Sequence, residues 1–133
     1  MIEFRKMHGL GNDFVVLDSR IKSVNLSLEQ IRLIADRHLG IGCDQIMIMH
    51  PAKTSGDIYL QMLNADGSEA GACGNGTRCV ASILLSELNK PEVFFTLIPV
   101  ASFPQPVNYC QNCKIVNYKT KVEMLINKLE NKS

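Results

Sequence analysis

A glycine-rich stretch that leads directly into an apolar helix pattern constrains this sequence more than any other feature. Residues 64–79 read NADGSEAGACGNGTRC, and four glycines lie between Gly67 and Gly76, around the thiol of Cys73. Glycine permits positive φ and a close approach of the backbone to a ligand. An apolar run with helical spacing starts at Val80, so the stretch predicts a turn that opens a helix.

The position of Cys73 just ahead of this helix predicts a reactive thiol. The N–H groups of a first helical turn and the positive end of the helix macrodipole favour thiolate over thiol. The same N–H groups can also bind a carboxylate. We therefore expect a reactive sulfur and an anion-binding loop in one place, and this is where we expect the chemistry of the chain.

Charge and composition exclude two classes of partner. The 14 basic and 13 acidic residues leave a formal net charge of +1, and tryptophan is absent. This balance gives no electrostatic reason to bind nucleic acid or an anionic membrane, and no apolar run approaches the length of a membrane span. Because the charged N-terminus does not fit an export signal, we expect a cytoplasmic chain whose 5 cysteines are free thiols.

Hydrophobic patterning predicts an α+β domain. Short apolar or alternating segments fit strands, and Ser27 with Gln30 forms a capping box ahead of a helix that Gly40 should end. Too little chain is left for a helical crossover between every pair of strands, so we expect a mainly antiparallel sheet curled around the helix that follows Cys73. The predicted strands start at residue 2 and cover 14–17, 46–49 and 57–63, and the predicted helices cover 27–39 and 77–88.

The character of the chain changes near residue 90, which divides it into a domain at 1–89 and a divergent tail at 90–133. Prolines break the tail, Pro106 among them. The CxxC pair within the tail has no further ligands at the spacing of a zinc site, so we interpret it as incidental. The predicted elements of the tail are a strand at 92–98, a strand at 115–118 and a last helix from Thr120.

Three long motifs, in the same order, resemble one enzyme family. They are KMHGLGNDF (6–14), ADRHLGIGCDQ (35–45), and NADGSE (64–69) followed by CGNGTRC (73–79). On these segments the first 89 residues closely resemble the N-terminal half of diaminopimelate epimerase, which is one of two pseudo-symmetric domains in that family. The related proline racemase and phenazine-biosynthesis groups share its fold.

The resemblance implies an amino-acid isomerase that uses no pyridoxal phosphate, no metal and no other cofactor. The family inverts one α-carbon of LL-diaminopimelate to give the meso form, in lysine and peptidoglycan biosynthesis. Its two cysteines act on opposite faces of the substrate, one taking the α-proton as thiolate and the other delivering a proton as thiol. By residue-wise match, Cys73 is the first of these cysteines. The matched substrate-binding residues are Asn12, Gln45 and Asn64, with Gly74 and Asn75 as the backbone cradle for a carboxylate.

The second cysteine of the family has no match in this chain. No second glycine-rich cysteine loop follows residue 89, so we expect a truncated chain that carries only the first catalytic cysteine and is inactive alone. Besides the small-molecule substrate, the expected partners are a missing second-half domain or another copy of the chain, bound through exposed strand edges. The alternatives are a non-enzymatic remnant and a protein-interaction module that uses the uncovered face of the domain.

Simpler interpretations stand beside these roles. Cys43 and Cys79 lack the glycine-rich setting of the reactive thiol, so we expect both to be core residues. Asp66 followed by Gly67 predicts a turn, not a catalytic carboxylate. The polar candidates for substrate binding could equally satisfy backbone groups at turns or strand ends. The 3 histidines are not spaced as metal ligands.

Overall fold

The computed structural model describes residues 2–9, 11–52, 56–70 and 74–89, together with three later strands at 93–98, 105–107 and 113–116. Its elements alternate between strands and two helices. In chain order they are β1 (Phe4–Gly9), β2 (Asn12–Asp18), α1 (Leu28–Ala35), β3 (Gln45–Pro51), β4 (Ile58–Asn64), α2 (Gly74–Leu88), β5 (Val93–Ile98), β6 (Gln105–Val107) and β7 (Cys113–Val116).

The described strands form one seven-stranded sheet in the order β6-β5-β4-β3-β2-β1-β7. β2 pairs with β3 in parallel, because α1 crosses between them, and β4 pairs with β5 in parallel across α2. The four other pairs are antiparallel. The prediction of an α+β domain with a mainly antiparallel sheet is therefore confirmed.

The sheet curls around α2. This helix contacts β6 and β7, which are the two opposite edges of the sheet, as well as β2 and β3 near its middle. In a flat sheet of seven strands these edges would lie about 29 Å apart, too far for one helix of about 10 Å diameter to touch both. The predicted curl around the helix after Cys73 is confirmed.

The two faces of the sheet carry separate cores. Strand alternation sends successive side chains to opposite faces, so β2 and β3 serve both cores and are buried along four consecutive positions each. The core between the sheet and α2 includes Met7, Phe14, Met47, Met62 and Val80. The core between the sheet and α1 includes Val15, Ile31, Ile34, Ile46 and Leu63.

The start of α1 agrees with the sequence. The Ser27 hydroxyl accepts a hydrogen bond from the backbone N–H of Gln30 at 3.1 Å, and the Gln30 carboxamide oxygen accepts one from the N–H of Ser27 at 2.8 Å. Two N–H groups that the helix itself cannot pair are thereby satisfied. The predicted capping box is confirmed.

The predicted end of α1 is wrong by four residues. The helix ends at Ala35 because Asp36 leaves the helical region, with φ −65° and ψ 124°. The Asp36 carboxylate then accepts the N–H groups of His38 and Leu39 at 2.8 and 2.9 Å, which gives these residues an alternative to helical bonding. Gly40 donates its N–H to the Asp36 carbonyl at 2.9 Å and so closes this turn, not the helix.

Other boundaries move by one to three residues. β3 starts one residue earlier than predicted, at Gln45, and β4 runs one residue further, to Asn64. α2 starts at Gly74, three residues before the predicted start, so the last glycines of the cysteine loop belong to its first turn. Within the described ranges, no helix has both the length and the apolar character needed to cross a membrane.

Strands of the tail join the same sheet. β5 agrees with the predicted strand at 92–98 and pairs with β4, and β7 lies two residues before the predicted strand at 115–118 and pairs with β1. The expected break at Pro106 is wrong, since this residue lies in β6. An edge strand tolerates proline because one row of its N–H groups needs no partner. The predicted last helix lies outside the described residues, and the division at residue 89 stays a prediction.

We expect that Ser27→Ala destabilises the chain by about 1 kcal/mol, because the N–H of Gln30 loses its acceptor at the start of α1. Urea unfolding followed by circular dichroism measures the loss. Ser23→Ala is the matched control, since Ser23 is exposed and precedes the helix; it should stay within about 0.5 kcal/mol of the parent. Equal unfolding midpoints for the two variants would contradict the role of the cap.

Candidate active site

Three polar side chains lie at one end of the sheet. Asn12 is the first residue of β2, Gln45 is the first residue of β3, and Asn64 is the last residue of β4. Because β2 and β3 are parallel and β4 is antiparallel to β3, these three termini lie at the same end. The structure thus brings together three of the predicted substrate-binding residues.

The same three residues share the face of the sheet that carries α2. The residues two positions further into each strand are Phe14, Met47 and Met62, and all three belong to the core against α2. Side chains two apart in a strand point to the same face. The candidate site is therefore the polar continuation of the α2 core, at the point where the apolar residues of the strands stop.

Gln45 and Asn64 lie opposite each other in the β3–β4 register. The Gln45 amide nitrogen donates to the Asn64 carboxamide oxygen at 3.3 Å, and the Asn64 amide nitrogen donates to the Ser68 hydroxyl at 3.1 Å. The side-chain carbonyl oxygen of Gln45, Oε1, is buried and has no hydrogen-bond partner among the described residues. A buried acceptor that stays unpaired lowers the free energy of unfolding by about 1–3 kcal/mol. This oxygen is therefore suited to accept a hydrogen bond from a ligand.

A tight turn after β4 holds Asn64. Gly67 has φ +90° and donates its N–H to the Asn64 carbonyl at 2.9 Å. The Asp66 carboxylate accepts both the N–H and the hydroxyl of Ser68, at 2.9 and 2.6 Å, and these bonds lower the pKa of Asp66. The predicted turn is confirmed, and Asp66 has a structural role in it.

The first turn of α2 packs against the starts of β2 and β3. A Cβ atom on Gly76 would lie 1.9 Å from Met47 Cε and 3.1 Å from Phe14 Cε1, so a larger residue here would require the end of the Met47 side chain to move. The N–H groups of a first helical turn have no acceptor within the helix and favour anions. Gly74 and Asn75, predicted as a carboxylate cradle in a loop, are the first two residues of the helix itself.

Cys73 lies outside the described residues. In the chain it immediately precedes Gly74, the first residue of α2. Its predicted role as a thiolate base stays a prediction.

The two cysteines expected in the core are there. The exposed fractions of Cys43 and Cys79 are 2% and 0%, and neither forms a disulfide bond. Burial raises the pKa of the Cys43 thiol to about 11, because the anion would lose its solvation. Both predictions of core packing are confirmed.

A cluster of four charged residues, which the sequence did not single out, lies beside the site. We call it the charge cluster: Lys6 in β1, Asp13 in β2, Arg37 after α1, and Asp44 just before β3. Lys6 Nζ lies 2.6 Å from Asp13 Oδ2 and also donates to the Gly42 carbonyl. Arg37 donates to both Asp13 oxygens, at 2.9 and 2.8 Å, and to Asp44 Oδ1 at 2.9 Å.

The charge cluster keeps Asp13 ionised. Burial would by itself raise the pKa of the Asp13 carboxyl, but the hydrogen bonds from Arg37 and Lys6 outweigh burial and hold this pKa well below its usual range. The same contact with Asp13 raises the pKa of the Arg37 guanidinium. Asp13 and Arg37 therefore stay charged together at neutral pH. Sequence reasoning missed the cluster because its members come from separate elements, although all four lie within the quoted motifs.

His50 lies apart from this geometry, whereas His8 is opposite Asp13 in the β1–β2 register. His50 is hydrogen-bonded to Gln61 Oε1 at 2.9 Å, near the opposite end of β3. Over the described part of the chain, no three histidine, cysteine, aspartate or glutamate side chains form a group that could hold a metal ion. A reaction without metal or cofactor stays a prediction.

Solved structures share this fold at low sequence identity. A phenazine biosynthesis protein of the PhzF family from Bacillus anthracis matches with a TM-score of 0.56 and 16% identity, over 81% of this chain and 36% of its own. A methylitaconate-delta-isomerase matches with a TM-score of 0.61 and 15% identity, over 84% of this chain and 62% of its own. These likenesses define the class of the fold, an epimerase-like α+β domain.

Sequence comparison defines the family. The family model for diaminopimelate epimerase matches residues 4–96, more than half of the 133-residue chain. A diaminopimelate epimerase from Rhodospirillum centenum is 54% identical over 91 residues, which are 68% of this chain and 31% of that protein. This chain belongs to the diaminopimelate epimerase family.

The chain spans about a third of the length of the curated relatives that it matches. The covered share is 31% for the relative from Rhodospirillum centenum and 33% for a diaminopimelate epimerase from Sphingopyxis alaskensis. The family match includes β5 up to Thr96, so it extends slightly beyond the predicted limit at residue 89.

We expect native alkylation at pH 8 to spare Cys43 and Cys79, because both are buried and Cys43 stays protonated up to a pKa of about 11. Iodoacetamide labelling read by peptide mass spectrometry tests this, with the same reaction in urea as control. Because the pKa of Cys43 is higher in the folded chain, its ionisation at high pH lowers the free energy of unfolding. The contribution of protonated Cys43 to this free energy is complete below its ordinary pKa of 9.0 and is lost as the pH rises through about 11. Labelling of native Cys43 at its rate in urea would contradict the assignment.

Proposed function

We propose that this chain supplies the first half of a diaminopimelate epimerase active site, with Cys73 as the base for one face of the substrate. The reaction is the cofactor-independent inversion of one α-carbon of LL-diaminopimelate to give the meso form, as in lysine and peptidoglycan biosynthesis. The observation that carries the proposal is the meeting of Asn12, Gln45 and Asn64 with the N-terminus of α2, at one end and on one face of the sheet.

The proposed substrate contacts follow from the chemistry of an amino acid. The buried Gln45 Oε1 has no hydrogen-bond partner among the described residues and is suited to the α-ammonium group, which offers three N–H donors. The first turn of α2, beginning at Gly74 and Asn75, is suited to the α-carboxylate. Asn12 and Asn64 carry amides that can both donate and accept, so they can fix the orientation of the substrate between these two charged groups.

The proposed proton transfer uses the same geometry. The Cys73 thiolate takes the α-proton and becomes a thiol, and the electron pair of the broken C–H bond remains on the α-carbon and its carboxylate. N–H groups of α2 stabilise the charge that develops on the carboxylate. Inversion then requires a proton from the opposite face, for which the family uses a second cysteine thiol. Return of a proton from Cys73 itself restores the starting configuration.

The second half of the site is a proposed partner. The chain spans 31% of the Rhodospirillum centenum relative, so we propose that the opposite face is supplied by a second-half domain, or else covered by another copy of the chain. A thiolate base needs reducing conditions, so we place the reaction in the cytoplasm. In the absence of the second thiol, this chain alone should exchange the α-proton without inverting the carbon.

We expect the chain in deuterated buffer to replace one α-proton of LL-diaminopimelate by deuterium without forming the meso isomer. Proton NMR follows the loss of the α-proton signal, and chromatography of the isomers follows inversion. Cys73→Ala should slow exchange at least about 100-fold, since it removes the base.

The matched control is Cys110→Ala, which removes a thiol of the tail and should leave exchange unchanged. Exchange that survives Cys73→Ala would contradict the role of this residue as base. Binding of diaminopimelate without any exchange would favour the non-enzymatic remnant, and neither binding nor exchange would favour the protein-interaction module.

A further inference from the structure

We infer that the charge cluster is a positioning device that sets the relative placement of Asn12 and Gln45 from the opposite face of the sheet. The inference rests on the proposed function insofar as it concerns substrate. Its members act through the backbone of β2 and β3 and have no contact with the substrate. Arg37, which joins both acidic residues of the cluster, is its central member.

The chain places the cluster directly beside two site residues. Asp13 follows Asn12, and Asp44 precedes Gln45. The two aspartates also bind each other's backbone. The N–H of Asp13 donates to Asp44 Oδ2 at 3.0 Å, and the N–H of Asp44 donates to the Asp13 carbonyl and to Asp13 Oδ1, each at 3.0 Å. A change in the distance between the two aspartates would therefore also move Asn12 and Gln45, the first residues of β2 and β3.

The aspartates of the cluster lie on the face away from α2. Val15 and Ile46, two residues further along from Asp13 and Asp44, belong to the core against α1. The site residues and the aspartates thus alternate between the faces of two neighbouring strands. Because the sheet lies between the cluster and the proposed substrate site, the cluster can act on the substrate only by setting the positions of Asn12 and Gln45.

The guanidinium of Arg37 has the geometry for this task. Its two terminal nitrogens contact both oxygens of Asp13, and one of them also contacts Asp44. A planar fork can hold two carboxylates at a fixed separation, whereas a lysine ammonium acts as a single point charge. Lys6 adds a second tie, since it binds Asp13 and the Gly42 carbonyl in the segment that leads to β3.

Stability alone does not explain the Arg37 contacts of the cluster. The Arg37 side chain is 54% exposed, and exposed ion pairs contribute little to the free energy of unfolding. Small displacements of groups that hold a substrate, by contrast, have large effects on rate. The two roles can therefore be separated by experiment.

The chain contains a matched control at the other end of β2. Arg20 makes a two-point contact with Asp18, at 2.9 and 2.7 Å, and reaches Glu87 at 2.9 Å. Like Arg37, Arg20 joins two carboxylates from different elements. Unlike Arg37, it lies away from Asn12, at the end of β2 opposite the candidate site.

The experiment compares Arg37→Met with Arg20→Met in the full chain. We expect Arg37→Met to lower the urea midpoint no more than Arg20→Met does, because the Arg20 side chain is less exposed, at 24% against 54%. With LL-diaminopimelate as probe, Arg37→Met should slow α-proton exchange by at least about tenfold, whereas Arg20→Met should match the parent. Arg37→Lys should recover part of the loss, because it restores the charge but not the fork.

A second readout needs no substrate. Nitrogen–proton NMR spectra of the free chain report the backbone amides of Asn12 and Gln45 and the side-chain amide of Gln45. Arg37→Met should shift these signals and Arg20→Met should not. Asp44→Asn, which weakens the link to Arg37 while keeping the side-chain shape, serves if Arg37→Met does not fold.

Unchanged site signals in Arg37→Met or Asp44→Asn, or equal exchange rates in Arg37→Met and Arg20→Met, would overturn the positioning role. If the parent chain itself neither binds nor exchanges LL-diaminopimelate, the proposed function fails. The spectra then still decide the positioning role, because they compare the geometry of the same residues in the free chain.

Discussion

The close approach of α2 to the starts of β2 and β3 is the constraint on which the rest of the structure depends. Gly76 leaves room for this approach, because a Cβ atom there would displace the end of the Met47 side chain and press against the Phe14 ring. The same approach brings the N-terminus of the helix to the end of the sheet where Asn12 and Gln45 begin their strands. A wider separation would leave the amides and the helix N-terminus as two unrelated surfaces.

Strand alternation then places the candidate site and the charge cluster on opposite faces of the sheet. Asn12 and Gln45 lie on the face of α2, while their immediate neighbours, Asp13 and Asp44, lie on the face of α1 and pair with Arg37. Each pair of neighbouring residues, Asn12–Asp13 and Asp44–Gln45, therefore places one side chain at the candidate site and one in the charge cluster. The ion pairs of the cluster thus lie on the face of α1 and place no net charge in the candidate site.

Local signals predicted much of this fold, and contacts between distant elements account for what was missed. The capping box of Ser27 and the turn at Gly67 depend on neighbours within three residues, so the sequence alone was sufficient for both. The end of α1 depends on the Asp36 carboxylate, which accepts the N–H of His38 and so competes with the helical hydrogen bonds that would extend α1. The strand at Pro106 forms because β5 is available as a partner. The candidate site residues came from motif resemblance, whereas the charge cluster required the register of β2 and β3.

Double burial of β2 and β3 has a consequence for the motions of the domain. Each strand lies between other strands of the sheet and is covered on one face by α1 and on the other by α2. Their amide hydrogens can reach solvent only through openings that approach global unfolding, so they should exchange most slowly. Asn12 and Gln45 are the first residues of these two strands, so their backbone is continuous with the segments that we expect to be best protected.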